Sequence, residues 1–465
     1  MKKLLILIIS CLFLLTSCEF VDIIKSKVLE ELLYENGNND YEYDDSFGNY
    51  NDDDDYTNDS LMANGPDTTD ALPSIGDVNV LVVPVNFMSK NKTQAIWNEI
   101  NSCFNGTESQ TGWESVKTYY QKSSYGKLNL SFTVTDWYTP YNSMSYYENY
   151  NEPYDDGSTT LMREILDYYD SYYDYSNFDS DNDNYIDGVW MVYNCPVDTT
   201  GDSDMWWAFS YVNQTDDKWD GLYAKYYAFA GYDFLHEDRG LKIDTTCMIH
   251  ETGHMFGLDD YYNYKGDQTG GVYGLDMMDE DIGDHGPISK ILLGWVTPIV
   301  VTESKTISID SFESSGDAIL ITNHELKTIY DEYFLIDYYT GTGVNNYHKP
   351  FGTNARGVRV YHVNAHQNIN SKGELSYNGG DYSTAFKYDN TDTSIKFVKL
   401  LRQSPTNNSV TSYSSFPKYL FTPSSKQFGY DVYTNYTYAN GSKLNFKFKV
   451  TSQNTSDTIL DITIS

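Results

Sequence analysis

The stretch TTCMIHETGHMFGLDD, residues 245–260, decides how the rest of the chain is read. Up to Phe256 it holds one glycine, Gly253, and no proline, and Thr245 or Thr246 can cap its start, so it is predicted to be a helix. On a helix His250 and His254 fall one turn apart on one face, where both imidazoles reach one ion. Glu251 is turned about 100° from His250, which sets its carboxylate beside that ion's open position rather than on it. Gly257 follows where the helix must end, because glycine takes φ > 0 and turns the chain back sharply. Asp260 then returns as a third ligand and leaves the fourth position to water. HExxH arises by chance on core helices, but a glycine and an aspartate at fitting offsets make a zinc site the expectation.

Outward from that helix, alternating elements predict an α/β domain. DVNVLVVPVNF reads as a buried strand, TQAIWNEINSCF and WESVKTYYQKSS as helices, and GKLNLSFTVTDWY as a half-buried strand. TTLMREILDYYDSYY is a further helix and YIDGVWMVYN a further strand. Beyond Trp295 the pattern changes to short strands: KTISIDSF, DAILITN, EYFLIDYY, GVRVYHVNA, KLNFKFKV and TILDITIS. These predict an all-β sandwich or jelly-roll-like domain over 299–465, after a catalytic domain over 76–298.

The motif HExxHxxGxxD, followed by GLDMMDEDIGDHGPISKILLGWVTP, resembles the immune inhibitor A-type family of bacterial secreted metallopeptidases, which is itself metzincin-like. The likeness runs through SVKTYYQKSSYGKLNL, EYFLIDYY and GVRVYHVNA, most of the chain after Asp77. It implies a metzincin-like zinc protease domain with His250, His254 and Asp260 as zinc ligands and Glu251 as catalytic base. It also implies a methionine turn in DMMD, at Met278, with Met277 the alternative. No tyrosine lies two residues after either methionine, where several metzincins keep one, so the oxyanion partner besides zinc stays open. His285 is a candidate transition-state partner; its alternative is a structural role. Cys247, one turn before His250, is expected to be a small core residue. His362 is expected to serve strand packing or a domain contact, and His236, His324, His348 and His366 carry no motif.

FDSDNDNYIDG sets Asp179, Asp181, Asp183 and Asp187 at every second or fourth position, with the Tyr185 carbonyl between them. Such oxygen ligands suit a structural calcium ion. Asn184 stands where an EF-hand has glycine and Trp190 where it has a bidentate glutamate, so the loop is not an EF-hand; asparagine tolerates the left-handed backbone required there.

The N-terminus, MKKLLILIISCLFLLTSC, has two lysines and an apolar run too short to span a bilayer, then a cysteine after small residues. It reads as a lipoprotein signal peptide over 1–17 with Cys18 lipidated, which puts the chain on the outer face of a bacterial cell membrane. An acidic spacer over 18–75 would tether it. Three cysteines remain after processing, too few and too widely spaced for a disulfide scaffold. A net charge of −36 excludes phosphate-contacting nucleic-acid binding. The 45 tyrosines are spread along the chain and reflect composition and half-buried strands. The function expected is a lipid-anchored zinc endopeptidase acting on proteins or peptides. Its rivals are a catalytically silent, metal-stabilised adhesin, and a binding lipoprotein whose C-terminal β domain holds a surface polymer or glycan. An intact Glu251 argues against the silent adhesin, since a structural site needs no base.

Overall fold

A computed structural model describes residues 71–465 except 88–91, 153–154, 196–203, 238, 263–270, 273–274, 327–328, 350, 366–367, 370–374, 377–395 and 404–417. The signal peptide, Cys18, His366 and nearly all of the tether lie outside the described residues. The chain is mixed α/β, with several sheets and few helices.

β1 (Gly76–Val85) is buried along nearly its whole length, as its run of β-branched residues requires. After it come α1 (Gln94–Asn105), capped by the Thr93 hydroxyl, and α2 (Val116–Ser123), which opens with a Ser115–Thr118 capping box. β2 (Leu128–Val134), α3 (Gly157–Tyr169), β3 (Val189–Tyr193), β4 (Phe209–Val212) and β5 (Tyr226–Gly231) complete this half. The sheet order is β2-β1-β3-β5-β4; all pairs are parallel except the last, so β4 is an antiparallel edge. α4 (Thr246–Met255) lies against β5 and β4. Trp190 on β3 fixes its buried side through an indole hydrogen bond to Thr252, 3.1 Å.

α5 (Pro287–Leu292) leads into the second half. Its first sheet comprises β6 (Ile299–Val300), β8 (Ala318–Ile321), β9 (Glu332–Tyr339), β10 (Gly357–Asn364) and β11 (Val398–Leu400), in that order. Its second sheet is ordered β7-β14-β13-β12, where β7 is Lys305–Asp310, β12 Phe428–Gly429, β13 Phe446–Gln453 and β14 Asp457–Ile464. β13 alternates Phe446, Phe448 and Val450 inward with Lys447 and Lys449 outward, the pattern of a strand with one wet face.

β9 behaves differently. Every residue of EYFLIDYY is buried. Phe334, Ile336 and Tyr338 join the core beneath the second sheet, while Tyr333, Leu335 and Tyr339 join the core that holds α4, Met277 and Met278. One hydrophobic core therefore runs across the boundary expected at 298/299. Charges buried at this junction are paired: Lys290 with Asp284 at 2.7 Å, beneath the ring of Tyr125, and Arg359 with both carboxylate oxygens of Asp337 at 2.9 and 2.5 Å. The unit over 299–465 is thus packed as part of the unit before it, whatever its separate topology.

Candidate metal centre

The start of α4 is organised by a residue the sequence pattern did not single out. Thr245 stands at the N-cap, but its hydroxyl donates to the Glu114 carbonyl; the capping acceptor is Asp244, which takes the Thr246 N–H at 3.0 Å and its hydroxyl at 2.7 Å. At the other end Gly257 has φ 87°, the left-handed turn expected of it. The Gly257 N–H donates to the His254 carbonyl and the Leu258 N–H to the Gly253 carbonyl, 2.8 and 3.2 Å, which is a Schellman closure. That closure brings the Leu258 carbonyl to His254 Nδ1, 2.7 Å away, and carries Asp260 back over the helix.

His250, His254 and Asp260 converge, with ligand atoms all within 4.8 Å of one another. His250 Nε2 lies 3.1 Å from His254 Nε2 and 2.9 Å from Asp260 Oδ1, and His254 Nε2 lies 3.3 Å from the same oxygen. Ligands on a tetrahedral zinc with bonds of about 2.0–2.1 Å sit roughly 3.3 Å apart, so the spacing fits. The proton positions fit as well. His254 Nδ1 faces a carbonyl, and His250 Nδ1 faces the Met277 carbonyl at 2.9 Å and an Asp281 carboxylate oxygen at 2.7 Å. Both Nδ1 atoms must therefore be donors, which leaves both neutral Nε2 lone pairs and a carboxylate oxygen pointing at one place. Only a cation makes that arrangement favourable. Without a metal the cation is a proton. Burial alone would lower the histidines, but Asp260 carries His254 up to about 9, and Asp281 and Asp260 carry His250 well above its usual range. Burial would raise Asp260, yet His254 and His250 hold it far below the usual carboxylate range.

Glu251 is buried beside this cluster and is not one of its three donors. Burial pushes its carboxyl up to about 7 against the opposing pull of His254 and His250. Met277 and Met278 are both fully buried. Of the two, Met278 underlies the helix: a Cβ on Gly253 would stand 2.5 Å from its Sδ. Its carbonyl receives the Tyr261 N–H at 2.6 Å, which ties the segment after Asp260 to the turn. Gly253, which by helix propensity is only a weak point in α4, is the residue that lets this sulfur approach.

His285 lies elsewhere. Its ring is 1% exposed, packed among Tyr119, Tyr120 and Trp295 with centroids 5.6–5.9 Å away, and 3.8 Å from Asp276. A ring so enclosed does not reach a bound substrate, so the structural alternative holds and His285 is dropped as transition-state partner. Tyr262 is nearer the centre: its ring lies nearly parallel to that of His250, centroids 6.4 Å apart, and it is half-buried. Nothing in its spacing had marked it. Cys247 is a buried core residue, and Cys103, Cys195 and Cys247 form no disulfide among the described residues. His362 stacks flat on Phe334 at 4.5 Å and bonds Glu332 at 2.8 Å, within the β9–β10 pairing.

The acidic loop before β3 brings Asp179, Asp181 and Asp183 together. Asn184 takes φ 73° there and Asn182 φ 61°. Asp187 is not in that group; both its oxygens lie 3.2 Å from the Ser180 N–H. Burial raises its carboxyl to about 7, helped by Asp181 and Asp179. Tyr185 donates its N–H to Asp183 at 2.8 Å.

No protein-family profile matches the chain, and no curated protein is significantly similar to it.

Proposed function

We propose that the chain is a zinc-dependent endopeptidase of metzincin-like architecture, with a jelly-roll-like C-terminal unit. The observation that carries this reading is the convergence of two imidazoles, each with Nδ1 against a backbone carbonyl, and the Asp260 carboxylate, beside a fourth buried group, the Glu251 carboxyl, that is not one of the three. A structural ion needs the first three groups and has no use for the fourth.

His250, His254 and Asp260 would hold the ion, which supplies the Lewis acidity that makes water nucleophilic near neutral pH. Glu251 takes a proton from the attacking water and returns it to the leaving amine. A carboxylic acid poised near pH 7 can do both in one turnover. The acidic loop at 179–187 would hold a calcium ion that secures the entry into β3, and the N-terminal Cys18 would anchor the chain to the outer face of the membrane. The test is metal analysis of the purified chain together with digestion of an unfolded protein with and without chelator. Stoichiometric zinc and chelator-sensitive cleavage at internal bonds are expected; a metal-free chain, or cleavage indifferent to chelation, overturns the reading.

A further inference from the structure

Asp281 closes the helical turn Met277–Glu280 in a left-handed conformation, φ 55°, which a non-glycine residue adopts only where its surroundings demand it. Its Oδ1 lies 2.7 Å from His250 Nδ1. The two histidines are therefore held unequally: His254 Nδ1 meets a backbone carbonyl, while His250 Nδ1 meets a carbonyl and a carboxylate. The carboxylate is itself held. Arg239 reaches Asp281 Oδ2 with Nη2 at 3.4 Å and the Asp281 carbonyl with Nη1 at 3.5 Å. Arg239 Nε lies 3.1 Å from Glu237 and 3.7 Å from Asp244, the residue that caps α4. One guanidinium thus joins the start of the histidine helix to the turn beneath it.

We infer that Asp281, clamped by Arg239, is a positioning residue of the metal centre, acting through His250; this rests on the zinc reading above. A carboxylate on Nδ1–H fixes the tautomer, directs Nε2 at the ion and makes that nitrogen a stronger donor. Arg239 holds the carboxylate in place and prevents it from swinging onto the ion as a competing ligand. The left-handed backbone is what aims the side chain, which is why strain is tolerated at this position.

The experiment uses the full chain and its Asp281→Asn, Asp281→Ala and Arg239→Gln variants. Zinc affinity is measured by competition with a chromophoric chelator, and the cobalt-substituted proteins are compared by visible absorption. Asparagine keeps the left-handed backbone and an acceptor but not the charge, so the apo form, which loses its ion pairs to His250 and Arg239, should melt somewhat lower but still cooperatively, while zinc binds more weakly. Asp281→Ala should weaken zinc about 10–100-fold, with Asp281→Asn and Arg239→Gln between it and wild type. The cobalt bands of Asp281→Asn should shift, which a residue serving only to terminate the turn would not cause. Wild-type zinc affinity and an unshifted cobalt spectrum in Asp281→Asn overturn the inference, even if Asp281→Ala is unstable. A wild-type chain that takes up no zinc overturns instead the reading on which it rests.

Discussion

Replacing Glu251 by glutamine should separate the chain's stability from the proposed activity, in opposite directions. Glutamine keeps the volume and removes the charge. Burial pushes the Glu251 carboxyl from its ordinary 4.5 to about 7, and at about 1.4 kcal/mol per pH unit this is about 3.5 kcal/mol of destabilisation carried by the ionised form. The direction with pH follows from linkage. The folded chain holds this proton more tightly than the unfolded one, so stability from the protonated form is complete below pH 4.5 and is lost as pH rises through 7. Glutamine does not titrate and loses nothing. The metal-free variant should therefore melt several degrees above metal-free wild type at pH 8 and close to it at pH 4.5. A bound cation stabilises the carboxylate and should shrink the difference. Peptide hydrolysis should meanwhile fall about 10²–10⁴-fold with zinc content unchanged, since a base is lost and no ligand is. Calorimetry of the apo forms at the two pH values and turnover of the zinc forms provide the measurements. A variant no more stable than wild type at pH 8 would refute the account of Glu251 as an ionisable group strained by burial; near-normal turnover would refute its role as base.

Asp260→Ala should sharply lower zinc affinity by chelator competition, because only two protein ligands remain; unchanged zinc content in dilute chelator would place the third ligand elsewhere. Gly253→Ala sets a gain in helix propensity of about 1 kcal/mol against a Cβ placed 2.5 Å from Met278 Sδ; we expect overpacking of about 1–3 kcal/mol to win, with weaker zinc binding, and relief when Met278→Ala is added. Calcium should raise the melting temperature, and Asp181→Ala with Asp183→Ala should abolish the response. Because Asp187 is raised to about 7, its protonated form stabilises the fold below about pH 4 and this is lost as pH rises through 7, so calcium should matter more at pH 8 than at pH 5. A chain ending at 298 should fail to give a cooperative melt, since Tyr333, Leu335, Tyr361 and Val363 belong to the core beneath α4; a folded, zinc-binding truncation would show that the halves are separable.

Much of the site was legible in the sequence because it is local. A helix converts the spacing of His250, Glu251 and His254 directly into geometry, and Gly257 has one conformation open to it that returns Asp260 to the cluster. Strands such as β13 were legible for the same reason, their period of two recording one wet face. What stayed hidden depends on which distant segments meet. Local pattern does not place Met278, which only the family resemblance suggested, because it underlies α4 through the folding of a distant turn beneath Gly253; Asp281, unmarked by either, reaches His250 through that turn's left-handed end. Tyr262 carries no signature beyond its neighbours, and His285, placed in a motif-rich segment, was drawn instead into an aromatic core. The full burial of β9 shows the same limit at the level of the fold. EYFLIDYY records that both faces are covered, but local pattern cannot say by what, and only the tertiary structure sets one face on the core beneath α4 and the other on a second sheet.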